Sequence, residues 1–274
     1  MCWWQVRPCS REGLRPMRGT SRRSVVAPNS PDSHFHRRAS WTALLVSCLL
    51  VASGSAVLAG DFAGRDILGF SADGSRFAFE EFGVQDGSGF PYCNIFVIDT
   101  AKDAWVPGSP VRKRIDDETA RVATACRSAS EQAAPLIANI DERGDLLASN
   151  PITESGREPY EIIFKRRPVL QLDNPDWKLR LERIALPATV SWAGDAKTFG
   201  YRLILDTPEG SRVLHEDKSL PESRGVPLDY RIHDVVIRQP FGQPASLAVI
   251  VMVLTKGFEG PDGRYLAVTA QLPG

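Results

Sequence analysis

The run Ser246-Leu-Ala-Val-Ile-Val-Met-Val-Leu-Thr255 constrains the fold of this chain most. It is apolar throughout, rich in β-branched residues, and followed by Gly257. β-Branched side chains fit a pleated strand better than a helix. An unbroken apolar run also leaves no face for water. The stretch therefore reads as a central strand buried on both faces.

Residues 66–100 supply the second fixed point. Ile67 to Phe70 approaches the turn Ser71-Ala72-Asp73-Gly74. Phe77, Phe79 and Phe82 mark a strand leaving it, and Asn94-Ile-Phe-Val-Ile98 is an apolar run ended by Asp99. An Asp-Gly step provides the positive φ that a tight hairpin needs. Three strands joined by turns have one apolar face, which the rest of the chain must cover. The stretch FSADGSRFAF followed by NIFVIDT resembles a blade of a TolB-type β-propeller, with a weaker echo over residues 190–201. A blade takes about forty residues, so a full ring would consume the chain from Gly60 onward and leave nothing for helices.

A helical segment is nonetheless present. Asp116-Asp117-Glu118 suit a helix N-terminus. Val122, Cys126, Ala129 and Ala133 then recur as one small-residue stripe. Pro135 is expected to end or kink this helix. A shorter one starting with residues 136–140 follows, with Gly144 as its cap. Residues 146–159 read as a polar connector. Strands are expected over 160–164, 178–185, 199–206, 211–215, 230–238 and 265–271, with Thr207-Pro208-Glu209-Gly210 turning a second hairpin. The fold class is thus α+β and β-rich: antiparallel meanders covered by a short helical segment.

The 33 basic and 33 acidic side chains cancel over 274 residues, but not locally. Eight basic and two acidic ones precede Gly60, which leaves 25 against 31, a net of −6, from Gly60 onward. A mildly acidic body argues against nucleic acid as a partner, because binding its backbone needs a clustered basic face. The basic excess belongs to a leader. Arg37-Arg38 precede an apolar run, residues 41–52, that is too short to span a bilayer. Val57-Leu58-Ala59 follows with signal-peptidase character. Residues 1–59 are therefore expected to be an N-terminal extension and signal peptide, with Met1 or Met17 as the start. Residues 60–274 form a single domain that is exported, periplasmic or extracellular, with no membrane span. Leu45-Val46-Ser47-Cys48 has the look of a lipobox, but its apolar run continues past Cys48, so a lipid anchor there is not favoured. Cys93 and Cys126 remain after cleavage. They are expected either to pair or to stay as buried thiols.

Catalytic patterns are scarce. His215 and His233 have no metal-ligand spacing with each other or with cysteine, so no metal or cofactor is expected. There is no nucleophile elbow, phosphate loop or dinucleotide fingerprint. Two glycine-rich loops rise above this background, Gln85-Asp-Gly-Ser-Gly-Phe-Pro-Tyr92 and Gly257-Phe-Glu-Gly-Pro-Asp-Gly-Arg-Tyr265. Each sets aromatic and charged side chains among glycines, which suits recognition. Asp86, Ser88, Phe90, Tyr92, Phe258, Glu259, Asp262 and Arg264 are the candidate binding residues.

The leader, GFSADGSRFAFEEFGVQDGSGFPY with its following IFVID, the alanine-rich helix and the C-terminal VLTKGFEGPDGRY together resemble the bacterial predicted secreted proteins grouped as domain of unknown function 2259. That resemblance implies an exported envelope protein and transfers no catalytic residue. Three functions follow from the residues. One is a non-enzymatic module binding an envelope protein or small ligand through the two loops. Another is an envelope hydrolase using Asp86, Glu259 and Asp262. The third is a structural or accessory protein whose loops only pack.

Overall fold

The computed structural model describes residues 60–154, 156–167, 174–257 and 260–273. The leader, with Cys48, and the loop residues Phe258 and Glu259 lie outside the described residues.

The chain first builds an N-terminal sheet from β1 (Gly64–Ser71), β2 (Arg76–Val84), β3 (Pro91–Asp99), β4 (Ala104–Trp105) and β5 (Val111–Arg114). Helix α1 (Val122–Ile137) follows, and β6 (Ile140–Glu142) returns to the sheet. The strand order is β4-β3-β2-β1-β6, with β5 also on β3. β7 (Asp145–Ser149) leaves for a central sheet. β8 (Glu161–Lys165), β9 (Asp176–Ala185), β10 (Phe199–Thr207) and β11 (Gly210–Glu216) form a third sheet. β12 (Pro227–Arg238), β13 (Ala245–Lys256) and β14 (Pro261–Leu272) complete the central sheet in the order β14-β13-β12-β7. Every pairing between named strands is antiparallel.

The alternation of β13 explains how these layers stack. Successive side chains of a strand point to opposite faces. Leu247, Val249, Val251 and Val253 pack with Leu179, Leu181, Leu203 and Leu205 of the third sheet. Ala248, Ile250 and Met252 pack with Phe70, Phe77, Phe79 and Phe96 of the N-terminal sheet. The apolar run is therefore buried on both faces, and it lies between two sheets. The far side of the N-terminal sheet is closed by α1, whose buried Ala125, Ala129 and Ala133 sit against Cys93, Ile95 and Val97 of β3. Small side chains allow that close approach. The far side of the third sheet is charged instead: Arg180 pairs with Asp206 and Glu182, and Arg202 with Glu182 and Glu216. The result is an open series of one helix and three sheets.

Two links clamp the series. Cys93 of β3 and Cys126 of α1 form a disulfide with their Cα atoms 4.9 Å apart. Asp103, in the turn before β4, takes a left-handed φ of 50°. Its carboxylate accepts the Thr269 N–H of the central sheet at 2.7 Å and lies 3.5 Å from His215 Nδ1 of the third sheet. One side chain thus touches all three sheets.

Several expectations are corrected. The acidic segment does not start the helix: Asp117 instead turns onto Thr119, and α1 begins at Val122 without a side-chain cap. Pro135 lies inside α1, which runs only two residues further, and the expected second helix is replaced by β6. Gly144, with φ of 73°, turns the chain from β6 into β7 and caps no helix. The polar connector also contains β7, paired with β12. Among the described residues no helix is long and apolar enough to cross a membrane.

Candidate functional site

Three strands of the N-terminal sheet aim a row of polar side chains at the open edge of the central sheet. Cross-strand pairing puts Glu81 of β2 beside Asn94 of β3, and Asn94 beside Arg112 of β5. One step along, Gly83, Tyr92 and Arg114 form a parallel row. A Cβ at Gly83 would meet the Tyr92 hydroxyl at 2.8 Å, so only glycine leaves room for that ring. In the other direction Phe79 stacks on Phe96 with centroids 4.7 Å apart, and Phe96 adjoins Trp105 at 6.3 Å. The aromatic core therefore runs out to a surface tryptophan that is 48% exposed.

Glu81 is buried at the base of these rows. It accepts the Tyr265 N–H at 2.6 Å and the Asn94 amide at 3.2 Å. Burial raises its pKa, against the hydrogen bonds from Tyr265 and Asn94 and the charges of Arg264 and Arg112. Arg112 stands at the surface. Its guanidinium lies 6.0 Å from the Phe96 ring centre and 5.7 Å from that of Trp105. Such cation–π contacts hold the charge in place without neutralising it.

Above this surface opens a cleft of about 520 Å³. Trp105 and Arg112 line one wall. Trp192, 58% exposed, and the turn 221–226 line the other, with Arg264, Tyr265 and Leu266 of β14 between. A smaller recess of about 290 Å³ continues it past Tyr92, Lys113 and Arg114. Arg112, Lys113, Arg114, Arg224, Lys256 and Arg264 line the two, against the single carboxylate of Glu81. Arg224 is paired with Asp217, Arg264 with Asp61 and Arg114 with Asp116. Arg112, Lys113 and Lys256 have no carboxylate partner among the described residues. On a body with a net charge of −6, that is a concentrated positive patch.

The two glycine-rich stretches, 85–92 and 257–265, come together at Asp61. Its carboxylate accepts the Asp86 backbone N–H and pairs with Arg264 at 2.6 Å, and its own N–H donates to Asp262 at 3.2 Å. Burial raises the Asp61 pKa and the Arg264 charge opposes it. Arg264 also lies over the Tyr92 ring at 5.3 Å. Ser88 serves its own loop, with its hydroxyl 3.4 Å from the Gln85 amide oxygen and accepting the Phe90 N–H. Phe90 lies under Arg114 at 5.7 Å. Tyr92 is buried in β3, and burial pushes its phenol above the usual range. Gly257 donates its N–H to the Gly260 carbonyl at 3.0 Å, and Asp262 and Arg264 belong to β14. Asp86 lines a separate shallow groove with Gly60, Phe62 and Glu118.

Of the sequence candidates, Tyr92 and Arg264 therefore line the cleft. Asp61, Glu81, Asn94, Arg112, Trp105 and Trp192 were not among them. The alternation in Val-Arg-Lys-Arg114 is the signal that could have found Arg112. Among the described residues, Glu80, Cys93 and Cys126 are the group close enough to chelate a metal, but both thiols are spent in the disulfide.

A family model described as predicted secreted protein (DUF2259) matches residues 78–271, which includes β3, β5 and all of the cleft-lining residues. No curated protein and no solved structure matches the chain.

Proposed function

We propose that this chain, which belongs to the DUF2259 family of predicted secreted proteins, is an envelope or extracellular binding protein that takes an anionic ligand in the cleft between Trp105 and Trp192. The observation that carries this reading is Arg112. It is a surface cation with no salt bridge among the described residues, held over two aromatic rings and facing a concave site. Leaving a charge unpaired beside a concave, partly apolar wall favours a counter-charge brought by a ligand. The exposed faces of Trp105 and Trp192 supply apolar contact for the ligand's body. Glu81 supports binding over acid catalysis, because its carboxylate already accepts hydrogen bonds from Tyr265 and Asn94. The basic-apolar-small leader agrees with export to the periplasm or beyond.

A thermal-shift panel of pyrophosphate, poly-L-glutamate, polygalacturonate and heparin tests the proposal on wild type and on the double charge reversal Arg112→Glu/Lys256→Glu. At least one anion is expected to raise the Tm of the wild type and leave the variant unmoved. Equal responses of the two proteins to every compound would contradict it.

A further inference from the structure

The floor of the cleft is a strand edge, and most of that edge is already occupied. β14 pairs with β13 on one side only. Its outward amides fall at every second residue. The Gly263 N–H donates to the Asp61 carbonyl at 2.9 Å, the Tyr265 N–H to the Glu81 carboxylate at 2.6 Å, and the Thr269 N–H to the Asp103 carboxylate at 2.7 Å. The buried Glu81 carboxylate and the partly exposed one of Asp103 thus cap the edge on either side of Ala267, a means of keeping an open sheet from pairing with other chains. Ala267 lies in the same phase. Its N–H and C=O have no partner among the described residues. The uncapped window, from Tyr265 to Thr269, is about 13 Å long at the usual rise of a strand. Beside it, Tyr265 and Leu266 line the cleft, and so do Arg112 and Lys256.

We propose that the cleft takes an extended acidic peptide, which adds as a short strand to β14 at Ala267 and sets an Asp or Glu side chain against Arg112. This rests on the anionic-ligand reading above and narrows it to one class of partner. The backbone of an added strand supplies one acceptor for the Ala267 N–H and one donor for its C=O. The adjacent side chains point alternately to the two walls, where Trp105 and Trp192 stand. Charge complementarity fixes the sign of the peptide: the patch is basic while the rest of the body is net acidic. The carboxylate caps at 265 and 269 limit pairing to about three peptide residues.

The test is a displayed library of random heptapeptides selected on the full chain from Gly60 onward. Enriched peptides are expected to carry an Asp or Glu among strand-forming residues. Methylating alternate backbone nitrogens of such a peptide is expected to weaken it at least tenfold in one phase and little in the other. Arg112→Glu should weaken it similarly. Ala267→Pro should do the same while leaving binding of the best small anion within twofold, because the lost N–H faces away from β13. The N-methyl series keeps the test valid if Ala267→Pro fails to fold. If no heptapeptide prefers wild type to Arg112→Glu, or N-methylation matters in neither phase, the peptide proposal is overturned. Retained discrimination of small anions in that case leaves the anionic-ligand reading standing, and its loss removes both.

Discussion

Raising the pH should loosen the clamp between the three sheets, through His215. Its Nε2 lies 3.1 Å from Asp217 and its Nδ1 3.5 Å from Asp103, so both ring nitrogens face carboxylates and both must carry protons. Asp217 is shared with Arg224, and the ring stacks on Tyr201 at 4.8 Å. Burial opposes the charge, but the hydrogen bonds that the ring donates to Asp103 and Asp217 outweigh it and push the pKa up from 6.5 to about 9. A folded value above the unfolded one contributes stability that is complete below pH 6.5. That contribution is lost as pH rises through the folded value near 9. At about 1.36 kcal/mol per pKa unit the shift corresponds to about 3 kcal/mol. Solvent screening of this partly exposed ring reduces that to about 2 kcal/mol. Urea unfolding of wild type and His215→Gln at pH 6 and pH 9.5 measures it. The stability difference between the two proteins should shrink by about 2 kcal/mol at the higher pH. A difference independent of pH, or a His215 titration by NMR at or below pH 6.5, would refute the reasoning.

Two further outcomes follow from the clamps. Closing the 33-residue separation between Cys93 and Cys126 removes chain entropy from the unfolded state, so Cys93→Ala/Cys126→Ala should lower the urea-unfolding free energy by about 3–4 kcal/mol. Asp61→Ala should leave Arg264 without its buried partner, cost about 2 kcal/mol, and make the loop around Asp86 the first site of nicking in limited proteolysis.

Much of the layering was legible because β13 has no polar face, and a strand of that kind can only lie between two layers. The meander was legible because Asp73-Gly74 marks its turn; Gly74, with φ of 69°, donates its N–H to the Ser71 carbonyl at 2.8 Å. What escaped were elements whose local chemistry points elsewhere. Asp116-Asp117-Glu118 look like a helix start, yet Asp117 is consumed by its own turn with Thr119. β7 carries Leu146 at 59% exposure, so its pattern lacks the alternation that marks a strand. β5 is three consecutive cations after a valine, which reads as a solvated segment; charge on an outer strand is also how proteins protect sheet edges. The cleft escaped for the same reason. Its residues come from β2, β3, β4, β5, β13, β14 and two turns, and only the stacking of sheets brings Arg112 to within reach of Arg264 and Trp192. Asp61 could not be read as the joint between the two loops, since it stands alone in sequence at the start of the body.

In the proposed function, the cleft between Trp105 and Trp192 holds an anion against Arg112. Of the three tryptophans after Gly60, these two flank the cleft and Trp177 is buried in the core. A tryptophan-fluorescence titration with the best anion from the panel is therefore the most direct measurement. A saturable change is expected in wild type, with affinity that weakens at least tenfold in Arg112→Glu and falls with rising salt. Saturation at the same concentration in both proteins, or no change in emission on binding, would contradict it.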